Sequence, residues 1–277
     1  MLNYQVYRNN SNSPWVIFLH GIGGSIATWK RQIDAFQNYN ILLIDLPGHG
    51  KSECKCDVTV KSVNDSIKEV MDYLHISKAD FVSLSLGTLV ALHFAIKYPK
   101  RVKTIVLGGS ILNIEGFYKF LMKITCAIKR IVPYRLLFNM LAKIMLPKKN
   151  HKVSRKIFIR ESLKLNRKTF LQWLNYITEI MHPDNIMKKI KALKIKMFFI
   201  SGDEDVCFLS GTKKISDALT QSEMHIIEKC GHVCSIEKAK ELLIFTDDTI
   251  DNIAVKTGFV GKSSLIRAFK KHCNVTP

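Results

Sequence analysis

The stretch from residue 81 to residue 97 constrains the fold of this chain more than any other. Residues 81–84 form a short apolar run that fits a buried strand, Ser85 follows directly, and residues 86–97 have the composition of an apolar helix. A serine at such a turn stands above the sheet edge, and the free N–H groups at the start of the helix point toward it. The same pattern also fits a buried strand and a core helix that happen to flank a serine, so the rest of the chain must decide.

Other apolar runs place this turn in a larger sheet. Residues 15–19, 41–44 and 102–107 have the continuous hydrophobicity of strands buried on both faces, and residues 29–36 and 60–74 have helical patterns. Strands that alternate with helices predict an α/β fold with a doubly wound, mostly parallel sheet. Sites in such sheets form at the carboxyl ends of the strands, where the runs of this chain meet polar or glycine-rich loops.

Three motifs at these strand ends carry a family resemblance. They are His20-Gly21, the segment D-L-P-G-H-G-K-S at 45–52, and S-L-S-L-G at 83–87, where the usual elbow motif is G-x-S-x-G. In this order they resemble the α/β-hydrolase fold superfamily, over roughly residues 4–237. The resemblance implies an acid and a histidine farther along the chain, in that order after the serine.

The second half of the chain offers both residues. Residues 195–200 read as a strand followed by S-G-D-E-D, and the G-x-x-D spacing of the family selects Asp205 over Asp203. Residues 224–227 read as the next strand, and the Gly-His pair that follows it corresponds to the catalytic histidine loop of the family, which selects His232.

This resemblance implies a specific chemistry. Ser85 attacks the substrate, His232 acts as general base and then acid, and Asp205 orients the imidazole. The backbone N–H groups of Ile22 and Leu86 are implied as an oxyanion hole. We expect hydrolysis of a carboxylic ester or another small-molecule acyl substrate, with no cofactor and no metal. A C–C hydrolase or a lyase that uses the same three residues is an open alternative.

Between the predicted strands at 102–107 and 195–200 the pattern changes to helices. Residues 117–130, 134–146, 154–164 and 168–181 are amphipathic and are separated by prolines. Their position matches the helical cap that many α/β hydrolases insert over the serine. Candidates for the pocket lining are Phe117, Phe120, Trp173 and Ile177.

The charge of the chain is strongly positive. The formal net charge is +19, which is typical of chains that bind nucleic acid, an anionic membrane surface or anionic substrates. A lysine-rich proteome would explain the same value. The cap region contributes much of this charge, so it fits either peripheral membrane contact or an ordinary cap with solvated lysines.

The cysteine content and the first ten residues predict a cytoplasmic protein. The seven cysteines are scattered, as in proteins of a reducing compartment, and the first ten residues lack the apolar core of a signal peptide. No stretch approaches the length of a membrane span. The spacings Cys54-x-Cys56 and Cys230-x-His232-x-Cys234 match no standard zinc pattern, so no metal site is predicted.

The last forty residues change character. The elements I-A-x-x-x-G-F, R-x-F-K-K and T-P resemble the end of an AraC/XylS-type DNA-binding domain. The resemblance implies helices at 249–256 and 262–272, the second being a recognition helix. The outward candidates for DNA contact are Ser263, Arg267 and Lys270. Because only one of the two helix-turn-helix units is present, we expect weak, salt-sensitive DNA binding. A sequence-specific transcription regulator is the alternative.

The predicted organisation therefore has three parts. Residues 1–110 and 193–237 form the α/β-hydrolase core, residues 111–192 form the helical cap, and residues 238–277 form the helix-turn-helix-like fragment.

Overall fold

The computed structural model describes residues 1–30, 32–129, 131–180 and 183–234. Within them a seven-stranded sheet has the order β1-β3-β2-β4-β5-β6-β7. The strand β1 runs antiparallel to β3, and all the other neighbouring strands are parallel. The strands are β1 (Tyr4–Tyr7), β2 (Trp15–Leu19), β3 (Asn40–Ile44), β4 (Ala79–Leu84), β5 (Val102–Gly108), β6 (Lys196–Gly202) and β7 (Ser222–Ile227).

Helices cover both faces of this sheet, as the alternating sequence pattern predicts. The helices are α1 (Val60–Tyr73), α2 (Leu86–Lys97), α3 (Gly116–Ile128), α4 (Tyr134–Met145), α5 (Lys152–Ser162), α6 (Arg167–Ile180), α7 (Pro183–Lys191) and α8 (Leu209–Asp217). The predicted fold class, an α/β-hydrolase fold with a mostly parallel sheet, is confirmed.

Alternation along the central strands divides the core into two layers. Ile17 and Leu19 of β2 pack into the layer that contains α1 and α2, whereas Val16 and Phe18 pack against Trp29 on the other face. Successive side chains of a strand point to opposite faces, so a strand buried on both sides is mostly apolar. Helix α2 is apolar all round for the same reason, since it lies between the sheet and other helices.

Two helical predictions need correction. Residues 29–36 do not form one helix, because the structure has two short 3-10 turns, Ile26–Trp29 and Ile33–Phe36. The first is capped by Ser25 through a capping box, and Trp29 and Phe36 at their ends both bury their rings against Phe18. The prediction also lacked helices α7 and α8.

Five helices, α3 to α7, lie between β5 and β6. They have their own apolar cluster, formed by Leu137, Phe138, Leu141, Leu165, Phe170 and Leu174. Ile22, from the loop after β2, packs against this cluster. The inserted helices therefore lie over the carboxyl ends of the strands, where the sequence places the site.

Candidate active site

Ser85 occupies a strained turn between β4 and α2. Its backbone has φ 50° and ψ −115°, a conformation that residues other than glycine rarely adopt. The main-chain N–H of Ser85 donates to Gly108 O at 2.8 Å, and Thr88 N–H donates to Ser85 O at 2.9 Å. The turn is therefore fixed on one side by β5 and on the other by the first turn of α2.

Gly87 allows α2 to start this close to the sheet. A Cβ atom at this position would lie 2.3 Å from Leu19 O and 2.9 Å from His20 O, both of which are backbone atoms. Only glycine fits such an approach without displacing the helix. This contact explains the last residue of the S-L-S-L-G motif.

The surroundings of Ser83 explain why the first position of that motif can be serine instead of glycine. Its side chain is fully buried, and Oγ donates to Val106 O at 2.6 Å. A buried hydroxyl that forms a hydrogen bond avoids the cost of desolvation. The small pocket beside β5 thus accepts serine in place of glycine.

Two loops bring a carboxylate and an imidazole to Ser85. His232 Nε2 lies 2.9 Å from Ser85 Oγ, and His232 Nδ1 lies 2.8 Å from Asp205 Oδ2. Asp205 and His232 are both buried, and the ring of Phe208 packs 4.8 Å from the imidazole, measured between ring centroids. The three side chains form one continuous chain of hydrogen bonds.

Asp203 has a different place. Its Oδ1 accepts from Cys230 N at 3.2 Å, and its N–H donates to Ile227 O at 3.0 Å. It therefore joins the loop after β6 to the loop after β7, and it is Asp205 that contacts His232.

The two residues predicted to supply oxyanion donors, Ile22 and Leu86, both belong to segments that adjoin Ser85. Leu86 is the first residue of α2, a position where the N–H group has no acceptor within the helix. Ile22 lies in the loop after β2, and both Ile22 and Ser85 line the same pocket. A Cβ atom at Gly21 would lie 3.2 Å from Ser85 Cβ, so this loop approaches the serine closely.

The other motif residues hold this loop in place. Asp45 accepts hydrogen bonds from Ile26 N at 2.7 Å, Lys51 N at 2.9 Å and Asn3 Nδ2 at 2.7 Å. His20 Nε2 accepts from Leu46 N at 3.0 Å, and burial lowers the pKa of this imidazole. A neutral ring is what this acceptor role requires.

A pocket of about 390 Å³ opens above Ser85. Its walls come from the loop after β2, from the turn between β4 and α2, from helix α5 and from the loop after β7. The lining residues are Gly21, Ile22, Gly23, Gly24, Ser25, Ala27, Thr28, Lys30, Leu84, Ser85, Ile157, Phe158, Arg160, Glu161, Lys164, His232 and Val233. The volume suits a small organic molecule.

The predicted lining of this pocket is wrong. Phe117 and Phe120 are 66% and 59% exposed, and neither lines the pocket. Trp173 and Ile177 are buried in the same core cluster, where Trp173 Nε1 donates to Pro47 O at 3.0 Å, and neither lines the pocket. Helix α5, which the sequence predicts as one of the amphipathic cap helices, supplies the wall instead.

The described residues provide few other candidates for function. They contain no group of three or more His, Cys, Asp or Glu side chains placed to hold a metal ion. None of their helices is long and apolar enough to cross a membrane. The candidates for DNA contact, Ser263, Arg267 and Lys270, lie outside the described residues.

Comparison with known proteins supports both parts of the sequence resemblance. Residues 14–122 match the family model described as alpha/beta hydrolase fold, and residues 229–277 match a model described as helix-turn-helix domain. The second match begins at Lys229, three residues before His232 and earlier than the predicted boundary at 238.

Relatives and solved structures agree with the first match. The chain is 28% identical over 248 residues to a 2-hydroxy-6-oxononadienedioate/2-hydroxy-6-oxononatrienedioate hydrolase of Paraburkholderia phymatum, which covers 81% of this chain and 83% of the relative. MenH from S. aureus superposes with a TM-score of 0.74 at 21% identity, over 92% of this chain and 99% of the other. The enol-lactonase from Burkholderia xenovorans superposes with a TM-score of 0.73 at 19% identity, over 90% and 96%.

These comparisons and the sheet topology identify the fold. The chain has the α/β-hydrolase fold, and the relatives and structural neighbours that it resembles are hydrolase enzymes of that fold. The chain also carries residues 229–277, which match a helix-turn-helix model.

Proposed function

We propose that the chain is a serine hydrolase that cleaves a small acyl substrate through Ser85, His232 and Asp205. The observation that carries this proposal is the unbroken chain of hydrogen bonds from Ser85 Oγ through His232 to Asp205, at 2.9 and 2.8 Å. Ser85 and His232 also line a pocket, which supports the same proposal.

The proposed reaction has two halves. His232 Nε2 takes the proton of Ser85 Oγ as the oxygen bonds to the substrate carbonyl, and Asp205 stabilises the resulting imidazolium. The N–H groups of Ile22 and Leu86 stabilise the tetrahedral oxyanion. His232 then returns the proton to the leaving group, and an acyl group stays on Ser85. Water, activated by the same imidazole, attacks the acyl carbon and releases the acid.

The leaving group distinguishes two versions of this reaction. An ester or lactone leaves as an alcohol or enol, whereas a C–C hydrolase releases a carbon leaving group that must be protonated. The relative from Paraburkholderia phymatum is named for the hydrolysis of a dienedioate, and a structural neighbour is an enol-lactonase. A panel of p-nitrophenyl esters, lactones and vinylogous diketones would separate these substrates.

Labelling with a fluorophosphonate probe tests the nucleophile. The wild-type protein should be labelled, and Ser85→Ala should not be, because Ser85 carries the only hydroxyl in the proposed chain of hydrogen bonds. Ser110→Ala is a matched control, since this buried serine also follows a central strand and does not line the pocket. Equal labelling of the wild type and Ser85→Ala would disprove the proposal.

A second candidate function, weak DNA binding, is favoured by the match of residues 229–277 to the helix-turn-helix model. The net charge of +19 agrees with contact to an anionic polymer. Mobility shifts with random and AraC-type duplexes at low and physiological salt test it. We expect weak binding that is lost as salt rises, whereas nanomolar, sequence-selective binding at physiological salt would favour the regulator.

A further inference from the structure

Glu204 lies between the two acidic residues of the loop after β6. Its N–H group donates to Cys230 O at 2.9 Å, and Cys230 N donates in turn to the Oδ1 atom of Asp203 at 3.2 Å. Cys230 is two residues before His232. The backbone around Glu204 therefore ties the loop that carries Asp205 to the loop that carries His232.

The side chain of Glu204 points the other way, toward the connection between α4 and α5. Its Oε1 accepts from Lys148 Nζ at 2.8 Å. Its Oε2 lies 2.7 Å from both Asn150 Nδ2 and His151 Nε2. His151 is fully buried and the Glu204 side chain is 12% exposed, whereas Lys148 and Asn150 are exposed, so the cluster spans from the interior to the surface. These contacts also lower the pKa of Glu204 to about 2, mainly through Lys148 and then Asn150.

Helix α5 begins directly after this cluster, at Lys152. Its middle supplies Ile157 and Phe158 to the pocket wall. Its last residue, Ser162, packs on the loop after β2, where a Cβ atom at Gly23 would lie 2.3 Å from Ser162 Oγ. The helix is thus held at its start by the loop that carries Asp205 and at its end by the loop that carries Ile22.

We infer that Glu204 is a positioning residue, which fixes helix α5 over Ser85 and so sets the shape of the acyl pocket. The inference rests on the proposed serine-hydrolase function. A carboxylate suits this place because three donors from one short segment converge on its two oxygens. The backbone N–H of Glu204 contacts the loop that carries His232, so this one residue joins the insertion to both loops of the site. Losing Glu204 should free the start of α5 while leaving Asp205, His232 and Ser85 intact.

Glu115 provides a matched control. Its carboxylate also accepts from three side chains, Lys214, Ser210 and Asn113, yet it does not line the pocket. Glu115→Ala removes a comparable set of polar contacts at a distance from α5. It should lower stability without changing the substrate preference.

The test compares Glu204→Ala with Glu115→Ala by hydrogen–deuterium exchange and by kinetics on p-nitrophenyl esters of increasing chain length. In Glu204→Ala, exchange across residues 152–162 should rise about tenfold. KM for the longer esters should rise by about three- to tenfold, with a smaller change in kcat, because a displaced pocket wall affects binding of the acyl chain first. Glu204→Gln, which keeps one acceptor oxygen, should recover part of both effects.

Two results would overturn the inference. Exchange across residues 152–162 that is the same in Glu204→Ala and in the wild type would show that Glu204 does not hold α5. If Glu204→Ala has lower stability but the same dependence of KM on ester chain length as the wild type, Glu204 has only a structural role. If Glu204→Ala does not fold, Lys148→Met removes one of the three contacts and should show the same changes to a smaller extent. Absence of fluorophosphonate labelling in the wild type would defeat the proposed function alone, because the exchange comparison does not depend on activity.

Discussion

Gly87→Ala is the sharpest test of how the turn at Ser85 depends on the close approach of α2 to β2. The added methyl group would lie 2.3 Å from Leu19 O and 2.9 Å from His20 O, whereas ordinary contacts begin at 3.4 Å. Both atoms belong to the backbone at the end of a buried central strand, so they cannot rotate away. The start of α2 must therefore move outward by about 1 Å, and Ser85 and Leu86 must move with it.

This displacement sets the expected magnitude. A misplacement of about 1 Å near reacting groups costs about 100-fold in rate, which corresponds to about 2.7 kcal/mol of transition-state stabilisation. Overpacking of the interface should also lower the free energy of unfolding by about 1–3 kcal/mol. We expect kcat/KM to fall mainly through kcat, because the substitution displaces Ser85 rather than the α5 wall of the pocket.

The assay measures kcat/KM on a short p-nitrophenyl ester together with urea denaturation. Gly116→Ala is the matched control, because it makes the same substitution at a glycine with no atom within 4 Å of the added Cβ. Its φ of 53° predicts a stability loss of about 1 kcal/mol and no change in kcat/KM. Wild-type kcat/KM in a folded Gly87→Ala protein would refute the reasoning.

Two further predictions concern acidic residues of the loop after β6. Asp205→Asn should lower kcat about 10⁴-fold, as expected when the imidazole loses its orienting carboxylate, whereas Asp203→Asn should have a far smaller effect; equal losses would contradict the assignment of Asp205. Glu204 has its pKa lowered from 4.5 to about 2, so its charged form stabilises the folded state. That contribution is complete above about pH 4.5 and is lost as the pH falls toward 2, so the stability difference between wild type and Glu204→Gln should shrink over this range in urea denaturation. A difference that stays constant from pH 7 to pH 3 would argue against the ion pair.

Local sequence patterns determined the core of the fold. The buried strands contain runs of consecutive apolar residues, and α2 lies at Leu86–Lys97, the span its apolar composition predicts. Ser85, Asp205 and His232 could be selected because each follows a strand within a short motif that resembles one of the α/β-hydrolase superfamily, and the structure brings the three together. Such features depend on neighbours only a few residues away, which a sequence displays directly.

The tertiary structure alone decided which helix faces the substrate pocket. Phe117 and Trp173 have the apolar character expected of a pocket wall, yet one is exposed and the other lies in the core, while α5 lines the pocket. The reason is that amphipathicity reports how apolar a face is, but not which surface covers it. The role of Glu204 was hidden for the same reason, since its partners are more than 50 residues away along the chain and are brought to it only by folding.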